Sequence, residues 1–127
     1  GNYQNVNTWQ RTADWDLNSL LIEDNVELRE DNEILFRWNL GTREDFTITG
    51  KNKSYTVTIP EGQILGRPEI KTPHIKISVK ADKPILLKED TFLNVTMKRG
   101  FYRNKVLIVK TKNKQEEINI KTRFVAK

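Results

Sequence analysis

Apolar and polar residues alternate along most of this chain. A period of two turns one face of an extended strand toward a core and the other toward water. Residues 33–40 carry Ile34, Phe36, Trp38 and Leu40 on one face, with Arg37 and Asn39 on the other. Residues 54–59 set Tyr55, Val57 and Ile59 against Ser54, Thr56 and Thr58. Further along, Ile75, Ile77 and Val79 alternate with His74, Lys76, Ser78 and Lys80, while Ile118, Ile120, Thr122 and Phe124 alternate with Asn119, Lys121, Arg123 and Val125. Less regular strands are expected over residues 25–29, 46–49, 92–97 and 105–110.

Turn chemistry separates these runs. Asp24-Asn25 and Asp31-Asn32 read as turns, because Asp and Asn tolerate a left-handed backbone and bond to their own main chain. Gly50-Lys51-Asn52-Lys53 reads as a hairpin loop between two strands. Residues 81–84 and 111–114 are further turns. The longest break, 60–73, holds Pro60, Gly62, Gly66, Pro68 and Pro73 and is expected to cross from one sheet to another. Residues 14–23 fit either a short helix or a strand, since Leu17, Leu20 and Leu21 stand at helical spacing. The pattern predicts an all-β fold: an immunoglobulin-like β-sandwich of about eight or nine short strands, with a small Greek-key barrel as the alternative. Residues 1–13 read as a polar tail or linker, and 14–127 as one sandwich domain.

Composition fits two thin layers. The apolar fraction is 36% and the charged fraction 31%, proportions that suit strands with one wet face. Cysteine is absent, which removes disulfides, thiol nucleophiles and thiolate metal ligands. No apolar stretch nears the roughly 20 residues that span a bilayer, so no transmembrane segment is expected. The polar start without methionine suggests a processed chain and an extracytoplasmic or cell-surface setting.

Candidate catalytic chemistry is sparse. His74 is the one histidine, and Ser19, Ser54 and Ser78 lie in plain strand contexts without a nucleophile elbow. Carboxylates crowd the first third, but without calcium-loop spacing, and Asp14, Asp16 and Asp24 would be the ligands to test. The glycines are isolated and form no phosphate cradle. The chain is therefore expected to be no enzyme and to carry no cofactor and no metal.

Charge is distributed unevenly. Residues 1–63 hold 6 Lys/Arg and 11 Asp/Glu, and residues 64–127 hold 16 Lys/Arg and 6 Asp/Glu. A molecule with an acidic and a basic side can pack on itself, and a basic side alone can recruit a polyanion. The densest basic run interleaves aromatics: Lys98, Arg99, Phe101, Tyr102, Arg103 and Lys105 are the candidate binding residues. Its Arg-Gly-Phe start resembles the RNA-recognition-motif signature, but Tyr102 and Arg103 break the match and the two required helices are missing. The expected role is a structural or protein-interaction module in a surface or multi-subunit assembly, joined to a protein partner or to itself. The alternative is a polyanion-binding domain, for nucleic acid or an anionic glycan, that uses the basic C-terminal half.

Overall fold

The computed structural model describes residues 6–40, 42, 44–64, 67–96 and 100–126; within these, the side chains of 63–64, 67–70, 92–96 and 100–104 are outside the description. Eleven strands follow one another: β1 (Val6–Trp15), β2 (Ser19–Asn32), β3 (Leu35–Asn39), β4 (Thr47–Lys51), β5 (Ser54–Ile59), β6 (Gly62–Ile64), β7 (Arg67–Thr72), β8 (Ile75–Ala81), β9 (Ile85–Thr96), β10 (Gly100–Thr111) and β11 (Gln115–Ala126). No helix occurs among the described residues, and so none there is long and apolar enough to cross a membrane. The strands form a major sheet in the order β1-β2-β11-β8-β5-β4, a minor sheet in the order β3-β10-β9, and the small pair β6-β7. Every pairing is antiparallel.

The two larger sheets pack as a β-sandwich. Val57, Ile59, Ile77, Val79, Ile118 and Ile120 face inward from the major sheet, and Ile85, Leu107 and Val109 meet them from the minor one. The six on the major sheet are the inward positions of the alternation read above, and a one-residue slip would turn every one of them to water; Ile85, Leu107 and Val109 lie outside that alternation. Polar ties hold the layers in register. Tyr55 Oη of the major sheet donates to the Ile85 carbonyl of the minor sheet at 3.0 Å, while at the β3–β10 edge of the minor sheet the Ile34 amide donates to Thr111 Oγ1 at 3.0 Å. Glu89 accepts from the Phe46 amide at 2.7 Å and from Lys105 Nζ at 2.7 Å.

Several elements differ from the sequence expectation. The segment 6–13, expected as part of a tail, pairs along β2 as an edge strand. Asp24-Asn25, expected as a turn, lies in the middle of β2, because Asp24 finds a cation partner inside the sandwich. For residues 14–23, where both a short helix and a strand were open, the structure has strand: the end of β1, a tight turn and the start of β2. There the Asp16 carboxylate accepts from the Asn18 amide at 3.2 Å and the Ser19 amide at 3.1 Å, which satisfies the turn locally. Finally, the stretch 60–73 does not cross between sheets. It forms β6 and β7 and returns so that β8 pairs with β5 in the same sheet.

Candidate interaction surface

Register places residues that are far apart in sequence in one plane on the outer face of the major sheet. The outward positions of β11, β8, β5 and β4 align in three rows. One row is Val125, Lys76, Thr58 and Thr47; the next is Arg123, Ser78, Thr56 and Thr49; the third is Lys121, Lys80, Ser54 and Lys51. Neighbouring strands stand about 4.8 Å apart and alternate residues about 6.6 Å apart, so the block is a compact lattice. Five of its twelve positions are cations, six are hydroxyls, and none is a carboxylate. Among the described residues none of the five cations is in an ion pair. Glu23 borders the plane on β2, and it is engaged by Asn119 Nδ2 at 2.7 Å. The plane can offer positive charge and hydroxyl donors to an extended anion, with Arg123 also acting through space on the Asp16 carboxylate.

The minor sheet adds a second cationic face of different character. Its outward grid, read across β3, β10 and β9, is Leu35, Lys110 and Leu86, then Arg37, Ile108 and Lys88, then Asn39, Val106 and Asp90. Here the long stems of Arg37, Lys88 and Lys110 flank Ile108, which is buried although it points outward.

The basic segment singled out in the sequence is divided. Lys98 and Arg99 lie outside the described residues. Phe101, Tyr102 and Arg103 lie on β10, where Gly100 to Lys105 pairs with β9 and extends past the end of β3. Lys105 is committed internally: its Nζ meets Glu89 at 2.7 Å and Asp45 at 3.1 Å. Hydrogen bonding from Glu89 first, then Asp45, raises its pKa above the usual lysine value.

The acidic candidates do not converge. Asp14 points outward from β1, opposite Leu21, whereas Asp24 points inward and is only 1% exposed. Asp16 is occupied by its own turn, whose amides and Ser19 hydroxyl hold its pKa below the usual carboxylate value. Among the described residues no group of three His, Asp or Glu side chains could hold a metal ion. His74 Nδ1 is buried without a hydrogen-bond partner. Asp24 belongs to a structural cluster: it accepts from Arg11 Nε at 2.6 Å and from Trp9 Nε1 at 3.0 Å. The guanidinium lies 5.3 Å from the Trp9 ring centre and 4.9 Å from that of Trp38. Sequence reading missed this cluster, since an arginine in an inward position hides the strand's alternation.

An apolar hollow of about 640 Å³ opens beside it, at the β1–β2 turn. Trp15, Leu20, Ile22, Ile75 and Phe124 line it, and Leu17 at its rim is 99% exposed. No protein-family model and no curated protein matches this chain.

Proposed function

We propose that this β-sandwich is a non-enzymatic interaction module that binds an extended polyanion across the outer face of its major sheet. One observation carries the reading: a lattice of five cations and six hydroxyls, without a carboxylate, on four adjacent strands. Such a surface gains affinity by displacing counterions from the polyanion, a gain that does not depend on base or sugar sequence. The plane carries no aromatic residue, so backbone charge rather than stacking drives the contact. A role in a surface or multi-subunit assembly agrees with this, as the partner's charges would be spread over many repeats.

The test is binding of a labelled single-stranded oligonucleotide and of a heparin fragment at increasing salt. Replacing Lys76, Lys80, Lys121 and Arg123 by glutamine should flatten the logarithmic salt slope for the oligonucleotide by roughly 3. An unchanged slope for both probes overturns the reading. A slope that responds instead to alanine at Lys98, Arg99 and Arg103 moves the site to the β9–β10 hairpin.

A further inference from the structure

Two open sheets have four edges, and three of them are guarded. β3 and β4 are five residues each, and β4 ends in Gly50 and Lys51. β9 carries Lys88, Glu89 and Asp90 in succession. Short length, lysine and clustered charge are the usual devices against pairing with a foreign strand. β1 has none of them. It runs for ten residues without proline or lysine, and every residue after Val6 is exposed. Its register against β2 is regular from Thr8 onward, and among the described residues no strand pairs on its far side. Arg11, its one cation, is already neutralised by Asp24.

We propose that β1 pairs antiparallel with β1 of a second copy of this chain, with Thr12 on the two-fold axis. The two six-stranded sheets then become one continuous sheet. The choice of axis follows from which residues would oppose each other. A two-fold normal to the sheet pairs residues of the same face, symmetrically about the axial one. An axis at Arg11 sets two arginines against each other. At Gln10 it sets Val6 against Asp14 and opposes the 70%-exposed Trp15 to no described residue. At Thr12 no like charges meet. Gln10 then opposes Asp14 on the outer face, and Trp9 opposes Trp15 twice on the inner face. Cross-strand aromatic pairs of this kind stabilise antiparallel strands. Trp15 lines the apolar hollow, so Trp9 of the second copy would cover the hollow's rim. The arrangement also puts both cation–hydroxyl planes on one side of the joined sheet.

This inference does not depend on the polyanion reading, because it is measured without ligand. The chain has no cysteine, so Thr12→Cys introduces a lone thiol. Directly opposed residues of an antiparallel pair have Cα atoms about 4.5–5.5 Å apart, within disulfide range. Mild oxidation should convert most of T12C to a covalent dimer, while T56C, on β5 of the same face, should stay uncrosslinked. Light scattering of the unmodified protein should give about twice 14.9 kDa at both low and high salt. Thr12→Lys should halve that mass and leave the circular dichroism of the folded sheet unchanged. A monomeric mass together with no T12C crosslink overturns the dimer. More efficient crosslinking of Q10C than of T12C overturns the axis.

Discussion

Arg11 and Asp24 form an unequal pair, and the inequality decides which partner matters more. The Asp24 side chain is 1% exposed, whereas that of Arg11 is 40% exposed and lies over two indole rings. If Asp24 loses its charge, the guanidinium can still turn toward water. If Arg11 is removed, a buried carboxylate keeps only the Trp9 indole N–H. Asp24→Asn should therefore cost about 2 kcal/mol, the usual penalty for weakening a charged hydrogen bond. Arg11→Met should cost about 3 kcal/mol or more. The double variant should cost less than the sum, as contacting groups are not additive. Urea unfolding of the four proteins measures all three quantities, and additivity would show that the pair is not coupled. Lys105 gives a prediction in pH. Its pKa is raised in the folded state by Glu89 and Asp45, so its contribution is complete below the unfolded lysine value of about 10.4. The contribution is lost as pH rises through the folded value. Lys105→Met should be less stable than the parent by roughly 1 kcal/mol at neutral pH, more than a fully exposed pair gives. That deficit should shrink above about pH 10.4 as the parent loses its proton, which urea midpoints across the alkaline range would show.

The β4–β5 hairpin shows what turn chemistry specifies at the level of an element. Gly50 has φ +124°, and a Cβ there would lie 2.4 Å from the Ser54 carbonyl oxygen and 2.7 Å from the Tyr55 Cα. Both are backbone atoms, so neither can move aside. Gly50→Ala should cost roughly 3 kcal/mol, combining conformational strain with the close contact. Asn52, at φ 61°, already sits where glycine is comfortable, so Asn52→Gly should change stability by under about 0.5 kcal/mol. Thermal unfolding of the two variants tests the contrast; equal effects would mean that the turn can reshape. This hairpin was legible in the sequence because Gly and Asn mark unusual dihedrals directly. β5 and β8 were legible because each alternates apolar and polar residues without exception. β1 was not legible: its inward positions are Trp9, Arg11, Ala13 and Trp15, and an arginine reads as polar until Asp24 is placed opposite it. The cationic plane was equally hidden. Its five charges come from three separate strands, β11, β8 and β4, and only the registers that join them through β5 assemble them. The run from Lys98 to Lys105 was conspicuous because it is dense along the chain, yet Lys105 spends its charge between the sheets.

Across the whole molecule, the order of strands makes the last one the link between the two parts of the major sheet. β1 and β2 come first in the chain, while β8, β5 and β4 form a second group, and β11 lies between them. Along β11, one edge pairs with β2 from Ser19 to Asn32 and the other with β8 from Ile75 to Ala81. Ile118, Ile120 and Thr122 on this strand are all buried, so β11 also supplies the middle of the core floor. The pairing of Asn25 with Asn119 closes most of the chain's length, a long loop whose entropy is repaid only after β11 docks. Folding should therefore be slow for the domain's size, in the millisecond-to-second range typical of sandwiches built from non-local pairs. A chain ending at residue 113 should keep the local β4–β5 and β9–β10 hairpin sequences yet lose the bridge between the two groups. The β1–β2 ribbon would then have no neighbour, and two-stranded ribbons are marginal in water. We expect this truncation to abolish cooperative thermal unfolding and to expose apolar surface to a hydrophobic dye. Adding residues 114–127 back as a separate peptide should restore a cooperative transition, because the vacated edges of β2 and β8 would accept it in the same register. A sharp transition in the truncated chain alone would show instead that β2 and β8 can close on each other without β11.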